Sequence, residues 1–431
     1  MQEFKSNYII FFFFLILGIL FRFLFINTSG TFDFIYFCNF IEAIKDFNNI
    51  SFLYYPGIDN ILNWKAYNLP VMYPPGFLYI FFLFNKLNIL IFNFDTKILV
   101  KIIIIFFEFL TYLILFFSFQ KRVILISIFF WINPLIILSG TMLGYVEGIF
   151  IFFLIASLIL IKNKRYLLAV IFFIISCSVK QLALVLMPIY LIYYLKINKF
   201  TTNFIFFIII CILIVIGLMP LLLYSENYTF SETILGFIKN MYWSVIQNYI
   251  SANGLNFWWL YSSFLDLFNN WNISYSFIEN LINLNFKYLK VAKEAGNWGF
   301  ESSVSRIFVL SLTLLNILTV LKRPSKLVFF TALIFQYFSY VVFATGVHEN
   351  HGVLLAILAS FLFIIIEKKY VYFAIILNFY SFINLWMFYG FFGLNNFRLH
   401  YLWQLLSLVI SVLFILLFIN KYIKFIKKNL I

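Results

Sequence analysis

The chain has 431 residues, of which 64% are hydrophobic and 11% charged, and it carries a formal net charge of +14. Soluble proteins average about 45–50% apolar and about 25% charged residues, so a soluble chain of this length could not bury so much apolar surface. The composition therefore excludes a soluble multidomain protein and predicts an all-α polytopic membrane protein. Cys38, Cys177 and Cys211 lack paired spacing, which disfavours a disulfide or metal framework.

Long apolar runs recur along the whole chain. A bilayer core of about 30 Å needs about 20 apolar residues per helix. About twelve spans are predicted, near residues 7–26, 98–119, 123–140, 146–161, 166–179, 182–195, 202–223, 304–321, 327–344, 352–366, 370–388 and 400–419. The first is too long for a signal-peptide core, which predicts a retained anchor. Residues 166–195 are too few for two full helices, so this hairpin is either short and tilted or enters the membrane only partway.

Basic clusters follow every second run. They are Lys121/Arg122, Lys162/Lys164/Arg165, Lys196/Lys199, Lys322/Arg323/Lys326, Lys368/Lys369 and the tail Lys421/Lys424/Lys427/Lys428. The positive-inside rule then places both termini and these short loops in the cytoplasm. Because the excess charge is explained by topology, a nucleic-acid partner is not expected.

Two segments on the opposite, exoplasmic side are long, namely 27–97 and 224–303. Residues 76–92 are apolar enough to span, but another crossing would invert all later loops against the charge order. We therefore expect an interfacial helix there. The prediction is a single integral-membrane domain, residues 1–431, with its acids, histidines and tryptophans concentrated at the exoplasmic face.

Among the acids in or beside the spans, three carboxyl groups are candidates for a functional or structural role. Asp33 comes a few residues after the first span and is either an N-cap or a general base partly desolvated by its Phe neighbours. Glu147, at the exoplasmic end of a span, is expected to be functional because a carboxylate there is costly unless hydrated or paired. Glu108 lies mid-span, which favours a structural polar contact between helices.

Cations and histidines also occur on the exoplasmic side, against the general charge bias. Lys180, followed by Gln181, and Arg306 are explained either by snorkelling to lipid headgroups or by phosphate binding. His348, Glu349, Asn350 and His351 form the densest polar cluster near a span end. Sugar or phosphate contact and helix capping both fit this cluster, whereas a metal site lacks a third ligand and the HExxH pattern.

Two aromatic elements complete the set of candidates. Tyr73-Pro74-Pro75-Gly76 and the stretch from Asn253 to Trp259, which includes Trp258, are typical of turns and of the interfacial aromatic belt. Their rings are also suited to stacking on a sugar.

Taken in order, these motifs resemble the GT-C glycosyltransferases over about residues 7–360. They are most similar to the ER glucosyltransferases that use dolichyl-phosphate glucose and to bacterial mannosyltransferase-like relatives. Asp33 matches the catalytic Asp of the family's first loop. Tyr73-Pro74-Pro75, Lys180-Gln181 and Val347-His348-Glu349 match further family elements. Glu147 stands where relatives often have Asp, and Tyr145 where they have Gln, while the acidic cluster that follows the first Asp in the ER enzymes is missing.

The resemblance implies a GT-C-like fold and an inverting hexosyltransferase, mannosyl- or glucosyl-. No cofactor and no metal-ligating residue is predicted. Its donor is a sugar on a polyprenyl phosphate, and its acceptor is a glycan, lipid or protein. Asp33 and Glu147 are the implied catalytic residues. The implied substrate-binding residues are Tyr73, Pro74, Lys180, Gln181, Trp258, Arg306, His348 and Glu349.

Other functional classes stay open at this point. A lipid-linked oligosaccharide flippase suits twelve spans, with Glu108 as a relay, although no internal repeat is evident and the polar groups lie at one face. A polysaccharide ligase or polymerase would share the long outer loop. The compact chain favours a bacterial inner membrane over the endoplasmic reticulum, with the active face periplasmic or lumenal.

Overall fold

The computed structural model describes residues 2–47, 73–197, 251, 254–270, 300–365, 370–391, 393 and 401–430. These residues are almost entirely helical, and none of them forms a strand. The predicted all-α class is therefore confirmed. The predicted span 202–223, most of the predicted loop 224–303 and Cys211 lie outside the described residues.

The described helices are numbered in chain order. They are α1 (Gln2–Phe25), α2 (Phe32–Phe47), α3 (Pro75–Leu87), α4 (Thr96–Ser118), α5 (Gln120–Met142), α6 (Glu147–Lys162), α7 (Tyr166–Val179), α8 (Met187–Ile197), α9 (Phe257–Asn270), α10 (Phe300–Lys322), α11 (Lys326–Phe343), α12 (His351–Ile365), α13 (Val371–Tyr389) and α14 (Tyr401–Asn429). A π-type turn, Asn88–Phe92, continues α3, and a 3₁₀ segment, Gln181–Leu186, precedes α8.

Helix α5 is a segmented helix rather than a uniform one. Pro134 interrupts its hydrogen-bond ladder, and the Asn133 side chain accepts a hydrogen bond from the Leu135 N–H (3.0 Å) to restart it. Two π-type turns, Ser127–Trp131 and Leu138–Met142, flank this break. The second of them carries the chain towards the start of α6.

Within the described part of the chain, eight helical segments are long and apolar enough to cross a membrane. The protein is therefore a helical, multi-pass membrane protein. The segments are Ser6–Phe25, Pro75–Phe92, Thr96–Ser118, Gln120–Met142, Phe300–Lys322, Lys326–Phe343, Val371–Tyr389 and Leu406–Asn429. One of them, Pro75–Phe92, is the segment predicted to lie at the interface.

The outer surface of these helices is apolar. On α1, Phe13, Phe23 and Leu24 are 61%, 67% and 73% exposed. Helix α10 likewise presents Ile307 and Leu314 outward. Large apolar side chains that point away from the core are expected where the surrounding solvent is lipid.

Basic residues from four of the predicted cytoplasmic clusters lie at one end of the described bundle, whereas Lys199 and Lys368/Lys369 lie outside the described residues. The Lys326 ammonium donates to the carbonyl of Lys162 (2.6 Å), and Arg323 donates to that of Lys428 (2.9 Å). Arg122 donates to the carbonyl of Ile364. Since α6 runs from Glu147 to Lys162, its opposite end lies about 24 Å away at 1.5 Å per residue.

Several of the described helices are too short to cross a full bilayer core, and three of them end at one group of polar residues. Helices α6, α7 and α12 have 16, 14 and 15 residues, which corresponds to about 21–24 Å against about 30 Å. The sequence predicts this shortness for the hairpin at residues 166–195, which has too few residues for two full helices. All three have one end at the same polar cluster, which is opposite the basic end.

Candidate functional site

Five chain segments supply the polar cluster. Asp33 lies in the first turn of α2, Tyr73 precedes α3, Glu147 begins α6, Lys180 follows α7 and His348-Glu349 precede α12. The residues span more than 300 positions of sequence, yet their side chains interact directly or electrostatically. The structure thus brings together most of the residues that the sequence singled out.

The centre of the cluster is a buried ion pair. The Lys180 ammonium lies 2.5 Å from Glu147 Oε1, and the two side chains are 4% and 2% exposed. The Asn350 amide donates to the same oxygen at 2.8 Å. Glu147 stands at the N-terminus of α6, where the helix dipole favours an anion. Lys180 reaches it because its backbone is extended (φ −146°, ψ 129°), which ends α7.

A second carboxylate, Glu349, is held by a tyrosine. The Tyr145 hydroxyl donates to Glu349 Oε1, and both residues are buried. Burial, reinforced by the Glu349 charge, raises the pKa of Tyr145 well above its ordinary value, so its hydroxyl remains a donor. The Tyr389 ring lies 6.4 Å from that of Tyr145, edge to face. Sequence reasoning missed Tyr389 because nothing distinguishes it within the apolar pattern of α13.

Asp33 is half-buried and close enough to the cluster to interact with its charges. Burial raises the pKa of the Asp33 carboxyl; His348 and Lys180 oppose this rise, and Glu349 adds to it. Asp33 is not needed as an N-cap, because the Phe34 N–H donates to Thr31 Oγ1 (3.3 Å). The structure therefore assigns the capping role, which the sequence offered to Asp33, to Thr31.

The turn that carries Asp33 packs against the turn that leads to Glu147. We call this contact, which Gly30, Gly144 and Phe34 make, the Phe34 lock. Gly30 (φ +72°) and Gly144 (φ +75°) both contact the Phe34 ring, and a Cβ on either would come within 2.3 and 2.2 Å of it. The Thr31 N–H also donates to the Leu143 carbonyl (3.0 Å). Both glycines adopt a left-handed conformation that other residues rarely adopt. Their spacing in the sequence gave no signal of this contact.

Tyr73 and Pro74 lie on the α7 side of the cluster. The Lys180 ammonium is 5.8 Å from the centre of the Tyr73 ring. Helices α3 and α7 approach closely, since a Cβ on Gly76 would lie 2.4 Å from Ser178 Oγ. Gln181 follows Lys180 at the start of the 3₁₀ segment and is half-buried.

Two predicted site residues are not seen in contact with these carboxylates. The Trp258 indole N–H donates to the Phe343 carbonyl (2.6 Å), so its hydrogen-bonding capacity is used at the end of α11. Arg306 is exposed on α10, although its neighbour Ser305 accepts a hydrogen bond from the Thr345 N–H (3.0 Å) in the loop leading to His348.

Glu108, predicted to make an interhelical polar contact, lies in a separate ion pair. Arg22 of α1 contacts its Oε2 at 2.8 Å, and both side chains are buried. The Arg22 guanidinium also donates to the carbonyls of Gly18 (3.0 Å) and Trp131 (2.9 Å). This pair therefore joins α1, α4 and α5.

The cluster around Glu147 offers unused hydrogen-bond acceptors. Among the described residues, Glu147 Oε2, Glu349 Oε2 and Asn350 Oδ1 are buried and have no hydrogen-bond partner. Buried polar atoms normally have a partner, so these three are suited to a ligand that brings donors, such as hydroxyl groups.

The charge balance of the cluster matters for any phosphate. In the described part of the chain the cluster has three carboxyl groups, Asp33, Glu147 and Glu349, and the single amine Lys180. Because Lys180 already pairs with Glu147, a phosphate would have to share its charge. His348, half-buried and within electrostatic range of Asp33, is the other cationic candidate here.

The two histidines do not form a metal centre with their neighbours. Their rings lie 5.4 Å apart, and the Tyr340 hydroxyl lies 3.1 Å from His351 Nδ1. Over the described ranges, no group of three or more His, Cys, Asp or Glu side chains has an arrangement that could hold a metal ion.

No protein-family model matches the sequence, and no curated protein matches it either.

Proposed function

We propose that the protein is an integral-membrane glycosyltransferase, which moves a hexose from a polyprenyl-phosphate-linked donor to an acceptor hydroxyl. The observation that carries this proposal is the set of three buried, unpartnered acceptor atoms on Glu147, Glu349 and Asn350. They lie at the starts of the short helices α6 and α12. A sugar supplies several hydroxyl donors, and a lipid tail keeps that sugar at the membrane surface.

In this proposal Asp33 is the general base. Its carboxylate removes the proton of the acceptor hydroxyl, and the acceptor oxygen bonds to the anomeric carbon. The bond from that carbon to the phosphate oxygen breaks, and its electron pair leaves with the lipid phosphate. A single displacement inverts the anomeric configuration. Partial burial suits the role, since it brings the pKa of Asp33 closer to neutrality than that of a solvated Asp.

The departing phosphate needs positive charge rather than a strong acid. Lys180 and His348 are the nearest candidates, with Gln181 beside Lys180 and Arg306 beyond the adjacent loop. Glu147 holds Lys180 in place, and its free oxygen accepts from the sugar or the acceptor. Tyr73 and Pro74 line the same side, while Trp258 supports the loop through Phe343.

The active face is proposed to be periplasmic, in a bacterial inner membrane. Supporting this, the basic clusters lie at the opposite end of α6 from Glu147. A Cys placed at Ser262 of α9 should react with a membrane-impermeant reagent in intact cells, and one at Ser325 only after permeabilisation. The reverse pattern would place the cluster in the cytoplasm and contradict the use of a flipped donor.

The test of the function is conversion of purified polyprenyl-phosphate sugar by the reconstituted protein. A glycosyltransferase releases polyprenyl phosphate and extends an added acceptor. A flippase would move the lipid between leaflets without consuming it. A ligase or polymerase would transfer a preassembled glycan and leave the monosaccharide donor unused. Either of these last two outcomes would overturn the proposal.

A further inference from the structure

A small cavity separates the two buried ion pairs. Its volume is about 20 Å³, and Glu108, Thr111, Ser139 and Glu147 contribute its polar lining. The rest of the wall is mostly apolar, including Ile151 and Val353. The cavity is therefore lined on one side by Glu108 of the Arg22–Glu108 pair and on the other by Glu147 of the Lys180–Glu147 pair.

The polar lining includes atoms that lack partners. Ser139 is 2% exposed, and its Oγ has no hydrogen-bond partner among the described residues; the same holds for Glu147 Oε2. The Thr111 hydroxyl donates to the Phe107 carbonyl (2.9 Å), which leaves its lone pairs free to accept. Glu108 Oε1 faces Gly140, where an added Cβ would lie 2.1 Å away.

These properties match those of a buried water site. A cavity needs about 10–15 Å³ to hold one water, and the water needs two to four polar partners. Leaving Ser139 Oγ and Glu147 Oε2 without hydrogen-bond partners in an apolar surrounding would be costly. Gly140 keeps the space that the Glu108 carboxylate occupies beside the cavity.

We propose that one structural water occupies this cavity and bridges Ser139 to the carboxyl groups of Glu147 and Glu108. The two ion pairs then form one hydrogen-bonded network that runs from α1 to the cluster. A carboxylate oxygen can accept two hydrogen bonds, so Glu147 Oε2 can take one from this water and one from a substrate hydroxyl. The water site therefore does not depend on the proposed glycosyl transfer. Its failure would leave the transfer reaction untested, and failure of the transfer assay would leave the water site intact.

The sign of two stability changes tests the proposal. Val353→Ile adds a methylene to the cavity wall. In a hydrated cavity it displaces the water and should lower the thermal midpoint of the detergent-solubilised chain by about 2–4 °C. Ser139→Ala removes a partner of the water and should also lower it. In a dry cavity both changes should raise the midpoint, because one fills a void and the other removes an unpaired hydroxyl.

A double variant controls for simple overpacking. With the water present, Val353→Ile should cost less in the Ser139→Ala background, because a partner of the displaced water is already gone. Equal costs in both backgrounds would assign the effect to overpacking and contradict the proposal. A high-resolution structure of the full chain should show density for one water within hydrogen-bond distance of Ser139 Oγ. Empty density there would overturn it.

Discussion

Two buried ion pairs of the same chemical type have opposite surroundings. The Arg22 guanidinium contacts Glu108, donates to two backbone carbonyls and lies 3.9 Å from the centre of the Trp131 ring. At the other pair, Lys180 and Asn350 share one oxygen of Glu147, and the second oxygen has no protein partner among the described residues. We call the first pair closed because Arg22 makes three hydrogen bonds to protein groups, and the second open because one oxygen of Glu147 is left for a ligand.

The two pairs therefore stabilise their buried charges in different ways. A closed pair satisfies its charges by joining helices, so its loss should appear as lost stability. An incompletely satisfied pair at helix ends should matter more for substrate turnover. Substitutions in the first pair should therefore mainly lower stability, and substitutions in the second should mainly lower turnover.

The largest expected effect on stability is at the closed pair. Arg22→Met leaves the Glu108 carboxylate buried and unpaired, which should cost about 3–5 kcal/mol of unfolding free energy. The measurement is unfolding in detergent micelles. Arg323→Met, a change at an exposed arginine, is the matched control and should stay within about 0.5 kcal/mol. Equal effects at the two sites would contradict the structural role of Arg22. Combining Arg22→Met with Glu108→Met should recover much of the loss.

At the open pair the main loss should be in turnover. Lys180→Gln removes positive charge from the departing phosphate and should raise the activation barrier by about 2.7–4 kcal/mol, by analogy with removing one oxyanion donor. Lys196→Gln, an exposed change in the same hairpin, should leave turnover unchanged. Turnover is compared at equal folded concentration. If Lys180→Gln lowers only the amount of folded protein, Lys180 has a structural role instead.

A smaller effect on stability is expected at the Phe34 lock. Gly144→Ala places a Cβ against Phe34 at a positive φ, which should cost about 1–3 kcal/mol of stability. Phe34→Leu should recover part of that loss in the double variant by relieving the clash, although the backbone strain remains. A Gly144→Ala protein as stable as the wild type would show that the two turns are not rigidly held.

Much of this architecture follows from the sequence, because length, hydropathy and charge directly determine which segments cross a membrane. Helices α1, α4, α10 and α11 match predicted spans to within a few residues. Motif order also selected Asp33, Glu147, Lys180 and Glu349, which the structure groups. Pro75–Phe92, predicted to be interfacial, meets the length and composition of a span.

The remaining features depend on tertiary contacts that leave no periodic signal. The partner of Glu108 is Arg22, which lies within the apolar run that is predicted to be the first membrane span. Lys180 pairs with Glu147, so its charge is less available to a phosphate. The local sequence around either residue does not reveal this pairing. Tyr389 and the Phe34 lock are likewise visible only once the helices are packed.

The smallest expected effect is a shift in pH dependence. The base must be deprotonated, so kcat/KM should rise with pH through the pKa of Asp33. His348 lowers that pKa, so His348→Gln should move the acidic limb to higher pH. Glu349 raises it, so Glu349→Gln should move the limb to lower pH. Shifts of the same sign in both variants would contradict the assignment of the limb to Asp33.

The most direct test of the central claim compares Asp33→Asn with Glu147→Gln, assayed with lipid-linked donor at equal folded concentration. Asn keeps the size of Asp33, and Thr31 provides the cap, so folding should be preserved. Loss of a general base should reduce turnover about 10²–10⁴-fold while donor binding stays nearly unchanged. Glu147→Gln should be milder. Near-normal turnover in Asp33→Asn with an inactive Glu147→Gln would move the base to Glu147, and near-normal turnover in both would contradict glycosyl transfer at this site.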